Sequence, residues 1–422
     1  MPAILGIVMV LLIATGVGGY FLLMSDDSET PTEQRPANAM TRLWKTPSPT
    51  TEEPSLGKNG LRSMWFNDDD VIFGDPQGVR AYNRASGKKK WTVKTPKGAG
   101  EVCGMSKEAS DEGVGAVIFD AGGDDCSYLS VVDTDSGRTL WSKNFSAGDE
   151  AETSPQVVVN SKVVAVAMGR GYAGFTIAGG AKVWELTARG HDCTTTVALS
   201  PQYRAVGSDC YDAKPKTQLD LQHLEYSTIH SKVPGESRAA GDILSDRPLT
   251  MRMSSDANVI DSDSSLSTFT DDGDLDKTFK LEGELKDLRL EPRSTYVDEE
   301  EEVLVSSYGT SDGLAALDLK TGKLLWKKRG SAGIAGVDNE GLIVLTDSPE
   351  GAAPGADTAL VAINVRDGKE KVMGTLYDPK QDLSSVGLLS VAWNGKVNEL
   401  YVQGEGVQDD RPSVQAFKLP NN

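Results

Sequence analysis

Glycine-rich residues are the first of several sets in this 422-residue chain whose types and spacing could do chemistry. Residues 169–174, GRGYAG, match the GxGxxG pattern that binds a dinucleotide when a helix follows it. Here the next residues, FTIAGGAKVW, are typical of a strand, so we predict a glycine-rich β-turn. No G-x-S-x-G, H-E-x-x-H or P-loop pattern is present, and hydrolases and nucleotide enzymes therefore have no support.

Acidic runs form the second set, at Asp68 to Asp70, Asp271 to Asp276 and Asp298 to Glu302. Carboxylates could attract calcium, but none of these runs has the D-x-D-x-D-G spacing with a distal Glu that a calcium loop needs. Each run falls where the tip of a hairpin is expected. We predict solvated turns and no metal site.

The three histidines are His191, His223 and His230. His191 precedes Asp192 and Cys193, a neighbourhood that could indicate a metal ligand or a nucleophile pair. An ordinary surface imidazole beside a disulfide explains the same residues. We therefore predict no catalytic residue and no cofactor-binding residue.

The four cysteines are even in number, and none is in C-x-x-C spacing. They are Cys103, Cys126, Cys193 and Cys210. Local pairing would join 103 with 126 and 193 with 210, although the sequence permits three connectivities and four reduced thiols are the alternative. Structural disulfides would require an oxidising compartment, which favours a domain outside the cytoplasm.

The N-terminal segment is a membrane candidate, because residues 3–24 carry no charge and are long enough for a helix to cross a bilayer. A basic n-region is missing, so we predict an uncleaved transmembrane anchor over 1–24. Polar, proline-bearing residues 25–40 are typical of a flexible linker. With 62 acidic against 43 basic residues and a net charge of -19, the chain does not suit nucleic acid as a partner.

A repeated hairpin organises the rest of the chain. AALDLKTGKLLW at 315–326 predicts two short strands around a KTG turn, and related stretches at 80–91, 130–141 and 174–184 also close on a tryptophan. Downstream, 360–372 repeats the pattern with Val372 in the tryptophan position. The tryptophans that fit the pattern are Trp44, Trp91, Trp141, Trp184 and Trp326.

The spacing of these hairpins predicts the architecture. Each unit of about 45 residues has room for two preceding strands, as in LKDLRL at 285–290 followed by EVLVSSY at 302–308. Four strands per unit and eight units predict an all-β, eight-bladed β-propeller with four-stranded blades, preceded by one N-terminal transmembrane helix. The last copy, 413–419, lacks a partner strand, and the apolar residues 41–46 fit that place. The propeller is expected to span 41–422.

The motif AxDxxTGKxLW, kept at 316–326, resembles the blade signature of the PQQ-like propellers, a group that includes quinoprotein dehydrogenases and BamB-like assembly proteins. The resemblance implies that each tryptophan docks on the neighbouring blade. In the dehydrogenase branch it would imply PQQ and calcium on the axis beside two adjacent cysteines, which this chain lacks.

We therefore expect a membrane-anchored, extracytoplasmic, non-enzymatic module of the bacterial cell envelope that binds or scaffolds an envelope protein, with no cofactor. The alternative is a quinoprotein-like enzyme or a sensor that binds a ligand or metal on the propeller axis.

Overall fold

A computed structural model describes most of the unit Asn38–Asn422. The described residues are 38–46, 63–75, 78–121, 126–144, 156–168, 171–186, 193–210, 218–224, 231–233, 239–246, 249–254, 265–270, 274–290, 294–309, 313–329, 331–347, 358–376, 388–404 and 414–420. Within these ranges the regular structure is β-strand, apart from a 3-10 turn at Gly283–Leu285.

The strands are numbered in chain order. In the first half they are β1 (Thr41–Lys45), β2 (Ser63–Phe66), β3 (Asp70–Asp75), β4 (Gly78–Asn83), β5 (Lys89–Thr92), β6 (Val102–Met105), β7 (Val114–Phe119), β8 (Tyr128–Asp133), β9 (Thr139–Asn144), β10 (Gln156–Val159), β11 (Val163–Met168), β12 (Gly171–Thr176), β13 (Lys182–Leu186), β14 (Cys193–Leu199), β15 (Tyr203–Cys210), β16 (Gln218–His223) and β17 (Ser231–Val233). In the second half they are β18 (Ala239–Asp246), β19 (Leu249–Ser254), β20 (Ser265–Phe269), β21 (Leu275–Lys280), β22 (Leu288–Arg289), β23 (Thr295–Asp298), β24 (Val303–Tyr308), β25 (Gly313–Asp318), β26 (Leu324–Lys328), β27 (Ser331–Asp338), β28 (Gly341–Asp347), β29 (Thr358–Ile363), β30 (Glu370–Leu376), β31 (Leu388–Asn394), β32 (Glu399–Gly404) and β33 (Gln415–Lys418).

Consecutive strands pair antiparallel into separate sheets, which we number in chain order. Sheet 1 is β2–β5, sheet 2 is β6–β9, sheet 3 is β10–β13, sheet 4 is β14–β17, sheet 5 is β18–β21, sheet 6 is β22–β26, sheet 7 is β27–β30, and sheet 8 is β31–β33 with β1 as its last strand. The first strand of a sheet is called inner and the last outer.

Turn chemistry explains why the outer hairpins form where they do. In sheet 6, the Asp318 carboxylate accepts backbone hydrogen bonds from Lys320 at 2.9 Å and Thr321 at 2.8 Å, and Gly322 has a φ of 69°. That φ lies in the left-handed region, where glycine carries no steric penalty. Burial alone would raise the pKa of Asp318, but these hydrogen bonds and one from Arg366 outweigh burial and lower that pKa.

The hydrophobic core lies between sheets. Each cluster of buried apolar side chains joins one sheet to the next, for example Trp65 of sheet 1 with Phe119 of sheet 2. The series runs from the sheet 1 and 2 cluster to the sheet 7 and 8 cluster and closes between sheets 8 and 1, where Trp44 and Tyr401 contact Phe73. A ring of sheets that bury their faces against both neighbours is a β-propeller.

The N-terminal end of the described chain closes this ring. Strand β1 pairs antiparallel with β33, with Arg42 opposite Phe417 and Lys45 opposite Gln415. Just before it, Ala39 pairs with Thr375 of the outer strand of sheet 7, and Met40 N donates to Thr375 O at 2.8 Å. Residues 38–40, assigned to the linker on sequence, are therefore part of the propeller and connect two sheets.

The predicted fold class is wrong in its number of four-stranded blades and in its helix. Over the described residues seven sheets have four strands, whereas the prediction was eight such sheets. Sheet 6 has five strands, because β22 and β23 both pair with β24. Between Arg289 and Thr295 the inner chain advances six residues while β24 advances one, from Ser307 to Ser306. The two short inner strands flank this insertion. The prediction placed a single inner strand at LKDLRL, 285–290, and did not place β23.

The helix correction concerns the N-terminal end. The first described residues, 38–45, are extended and paired, and no helix within the described ranges is long and apolar enough to cross a membrane. The predicted anchor at 1–24 lies outside the described residues.

Candidate binding surface

The five tryptophans singled out on sequence lie on the outer strands, and each indole N–H donates to a backbone carbonyl of the following sheet. The acceptors lie in or beside the turn between the third and fourth strands of that sheet. The pairs are Trp44 with Arg84 (2.7 Å), Trp91 with Asp135 (3.1 Å), Trp141 with Ile177 (2.7 Å), Trp184 with Leu224 (2.8 Å) and Trp326 with Val365 (2.8 Å). These bonds satisfy the indole donor while the ring covers the interface.

Glycines in these outer turns make room for the rings. A Cβ at Gly87 would lie 2.5 Å from Cγ of Trp44, closer than any real contact. Sheets 5 and 6 use the same arrangement with Phe279, whose ring would lie 2.4 Å from a Cβ at Gly322. The other turn glycines against a tryptophan are Gly137, Gly180 and Gly368. The KTG motif is therefore explained by geometry and not by reactivity.

Two tryptophans that the sequence reading did not single out lie on inner strands. Trp65, buried in sheet 1, donates from its Nε1 to Ser106 O of sheet 2 at 2.8 Å. Trp393 in sheet 8 donates to the Asp338 carboxylate of sheet 7 at 3.1 Å. Neither residue ends a copy of the repeated hairpin, and the sequence pattern indicates only tryptophans at that position.

An arginine backs the docked Trp184. The guanidinium of Arg204, buried in sheet 4, lies 4.0 Å from the ring centroid of Trp184, a cation–π geometry. Burial lowers the pKa of Arg204 to about 10, so the group stays charged at neutral pH. The sheet 3 and 4 interface thus carries a buried charge beside the docked ring.

The cysteines lie on the opposite side of the sheets from these turns. Cys103 of β6 and Cys126, two residues before β8, form a disulfide with their Cα atoms 6.0 Å apart. Cys193 and Cys210 are Cα partners in the ladder of β14 and β15. The Cys103–Cys126 bond thus ties the inner strand of sheet 2 to the chain between its second and third strands.

The inner turns join the first and second strands of each sheet, and the outer turns join the third and fourth. We call the side of the sheets that carries both kinds of turn the turn face. Some of its carboxylates are paired with a cation of the next sheet around the ring. Arg366 of sheet 7 contacts Glu301 and Asp318 of sheet 6, both at 2.8 Å. Arg84 of sheet 1 contacts the buried Glu399 of sheet 8 at 3.0 Å. These ion pairs join neighbouring sheets of the ring.

One inner turn is longer than its neighbours. Eight residues, 106–113, separate β6 from β7 in sheet 2, whereas three residues separate the equivalent strands in sheets 3 and 4. The long turn is held in place at both ends: Ser106 O accepts from Trp65 Nε1 at 2.8 Å, and Gly113 O accepts from Thr134 Oγ1 at 2.9 Å. It therefore forms an ordered wall above the turn face.

A depression of about 430 Å³ lies against this wall. The inner turns of sheets 3 and 4 line its other sides, and Asn160 of sheet 3 donates to Pro201 O of sheet 4 at 2.8 Å. The polar residues that line it are Glu108, Ser110, Asp111, Asn160, Ser161, Gln202 and His223. The ring of His223 lies against Tyr203, with centroids 4.7 Å apart. We name this feature the three-sheet depression.

The depression brings together residues that the sequence reading left apart. Of the three histidines only His223 is in it, and His191 and His230 lie outside the described residues. Sheet 2 supplies Glu108 and Asp111, which belong to none of the acidic runs considered. A polar, concave and open surface of this kind suits hydrogen bonding and charge recognition.

The other chemical candidates are accounted for by the strands. Residues 171–174 of the GxGxxG match lie in β12, residues 169–170 lie outside the described residues, and no helix follows within the described residues. Asp70 is buried and accepts from Lys90 Nζ at 2.7 Å, while 298–302 joins β23 to β24. Asp271 to Gly273 lie outside the described residues.

The cysteines do not fit a quinone site. Two adjacent cysteines typically accompany PQQ in the dehydrogenase branch, whereas Cys103 is bonded to Cys126, 23 residues away, and the other two cysteines are 17 residues apart. We derive no chemistry through that group.

Comparison with known proteins gives a family and a fold. A family model described as outer membrane protein assembly factor BamB matches residues 75–267 and 270–404. The crystal structure of BamB from Moraxella catarrhalis is similar, with a TM-score of 0.50 and 14% identity, covering 90% of this chain and 100% of that one. The computationally designed protein Ika8 gives 0.53 and 13%, covering 89% and 99%. Identities this low show the fold alone, and no curated protein sequence matches this chain.

Proposed function

We propose a function from one premise, which is that this chain belongs to the family of the outer membrane protein assembly factor BamB. The resemblance to PQQ-like propellers is thereby confirmed. On that premise we propose a non-enzymatic module that binds or scaffolds a protein of the bacterial cell envelope. The observation that carries the proposal is the family match, which extends over most of the propeller.

The location is part of the proposal. The Cys103–Cys126 disulfide supports an oxidising compartment, since such bonds are rare where thiols are kept reduced. Residues 3–24 are uncharged and apolar. We place the propeller on the extracytoplasmic side of the cell membrane, held there through residues 1–24.

The partner-binding surface is proposed to be the three-sheet depression. Its wall is ordered before any partner arrives, because the turn 106–113 is fixed by hydrogen bonds from Trp65 and Thr134. A surface that is already ordered loses little conformational entropy on binding. Binding residues are also commonly found on loops that a rigid scaffold positions.

Site-specific photocrosslinking in intact cells tests the function. A photoreactive residue at Ser161, exposed in the depression, is compared with one at Asn339, exposed in the equivalent inner turn of sheet 7. We expect one envelope protein to be captured through position 161 and not through position 339. Capture of no protein at position 161, or of the same proteins at both positions, would contradict the proposal.

A further inference from the structure

Two carboxylates in the three-sheet depression have no partner among the residues that the structure describes. Glu108 and Asp111 are exposed, and neither forms an ion pair or a hydrogen bond within the described part of the chain. Glu301, by contrast, is paired with Arg366 at 2.8 Å on the same face. The two carboxylates at the depression are therefore available to an external group.

The described residues that line the rest of the depression include no Lys or Arg. Ser161 of sheet 3 and Gln202 of sheet 4 line the depression with the two acids of sheet 2. Asn160 is already committed, because its amide donates to Pro201 O and its Oδ1 accepts from Lys162 N and Val163 N. Like charges in a concave wall add their potentials and concentrate a ligand of opposite sign.

We propose that the three-sheet depression binds a Lys- or Arg-bearing segment of the protein partner. The proposal rests on the proposed function and deepens it by giving the chemistry of the segment. A Lys or Arg side chain would place its cation between Glu108 and Asp111, and the amide and hydroxyl groups of Gln202 and Ser161 would bond the peptide backbone. An acidic or apolar segment would leave the two carboxylates unpaired.

Binding of labelled peptides to the full-length protein in detergent tests this directly. Three flexible twelve-residue peptides of alternating Ser with Lys, Gln or Glu are compared by fluorescence anisotropy. We expect the Lys peptide alone to bind, and the double substitution E108Q/D111Q to weaken it about tenfold, as expected for the loss of two partly exposed ion pairs.

A matched control separates this site from the general acidity of a protein with net charge -19. Glu299 and Glu300 are exposed in the inner turn of sheet 6, and E299Q/E300Q removes the same charge from the same face. We expect less than a twofold effect from that control. An equal effect of the two double variants, or equal binding of the Gln peptide, would overturn the inference.

Calcium provides a further arm. If millimolar calcium abolished binding of the Lys peptide to the wild type at an ionic strength matched with NaCl, the site would belong to a metal ion and the proposal would be overturned. Failure of the peptide experiment with successful crosslinking at Ser161 would reject the basic segment alone, whereas failure of crosslinking would reject the proposed function.

Discussion

Replacing Trp44 by Ala tests how the propeller ring is closed. Trp44 is 8% exposed, its Nε1 donates to Arg84 O at 2.7 Å, and its ring lies 6.0 Å from that of Tyr401. Strand β1 has only five residues, and Trp44 is its one buried side chain. The substitution would therefore remove the main apolar contact between the closing strand and sheet 1.

The expected cost follows from the burial. Truncating a buried aromatic side chain to Ala costs about 3–5 kcal/mol, of which the lost hydrogen bond accounts for about 0.5–1.5 kcal/mol. The unfolding entropy is about 2.1 cal/mol/K per residue, and the unit Asn38–Asn422 has about 385 residues. The substitution should therefore lower the Tm by about 4–6 °C.

Thermal and urea unfolding, followed by far-UV circular dichroism, would measure the effect. The matched control is Trp91→Ala, which removes the same kind of contact between sheets 1 and 2, but from a half-buried ring with a 3.1 Å hydrogen bond. We expect the control to cost about 1–3 kcal/mol, in line with its partial burial. A Tm within about 1 °C of wild type for Trp44→Ala, or equal losses for both variants, would refute closure through Trp44.

Three other predictions concern the turns and the disulfide. Gly137→Ala should cost about 2–4 kcal/mol in thermal unfolding, whereas Gly98→Ala, also at positive φ but with open space around it, should cost only about 1–2 kcal/mol; equal costs would contradict the need for space at the turn. Removing the Cys103–Cys126 bond through Cys103→Ser should cost about 3 kcal/mol and lower the Tm, and reductant should lower the Tm of this variant by less than it lowers the Tm of wild type. Because the pKa of Asp318 is lowered in the folded protein, the stability it contributes is fully present above its ordinary pKa of about 4 and is lost as the pH falls through the lowered folded-state pKa, so wild type and Asp318→Asn should differ at pH 7 and the difference should shrink as the pH falls below about 4 in urea unfolding.

The architecture could be predicted because one local pattern carries it. The turn chemistry of AALDLKTGKLLW fixes a hairpin, and the recurrence of that hairpin indicates a ring of similar units. Pairing between residues 41–45 and 415–418 follows from counting strands. The last hairpin, at 413–419, has only its first strand, and the apolar residues 41–46 are left over to supply the second. Long-range pairing can be predicted from a repeat because each copy has the same neighbours.

Departures from the repeat could not be predicted. The fifth strand of sheet 6, Thr295–Asp298, is a short polar stretch that the pattern of the other units gives no reason to expect. Val372, predicted at the tryptophan position, pairs with Val361; two residues further on, Gly374 pairs with Leu360, and a Cβ on Gly374 would lie 2.7 Å from Met40 Cγ. The side chain of Met40, which precedes the closing strand, thus lies over Gly374 in the outer strand of sheet 7.

The proposed binding surface could not be predicted for a different reason. The turn 106–113 reads as any polar turn, and its partners in the depression lie about 50 and about 95 residues further along the chain. Only the ring brings Asp111, Ser161 and Gln202 to one place. A single sequence records which residues are in turns but not which turns meet.

The pairing of Arg42 with Gln415 also has a consequence in time. The two residues are 373 positions apart, so the closing strand leaves the ribosome long before its partner exists. At about 5–20 residues per second, the interval is roughly 20–75 s. Throughout it, the apolar side chains of β1 have no sheet to join, and an unpaired strand of this kind invites association with other chains. A newly made copy therefore depends on whatever shields residues 41–45 until the last strand arrives.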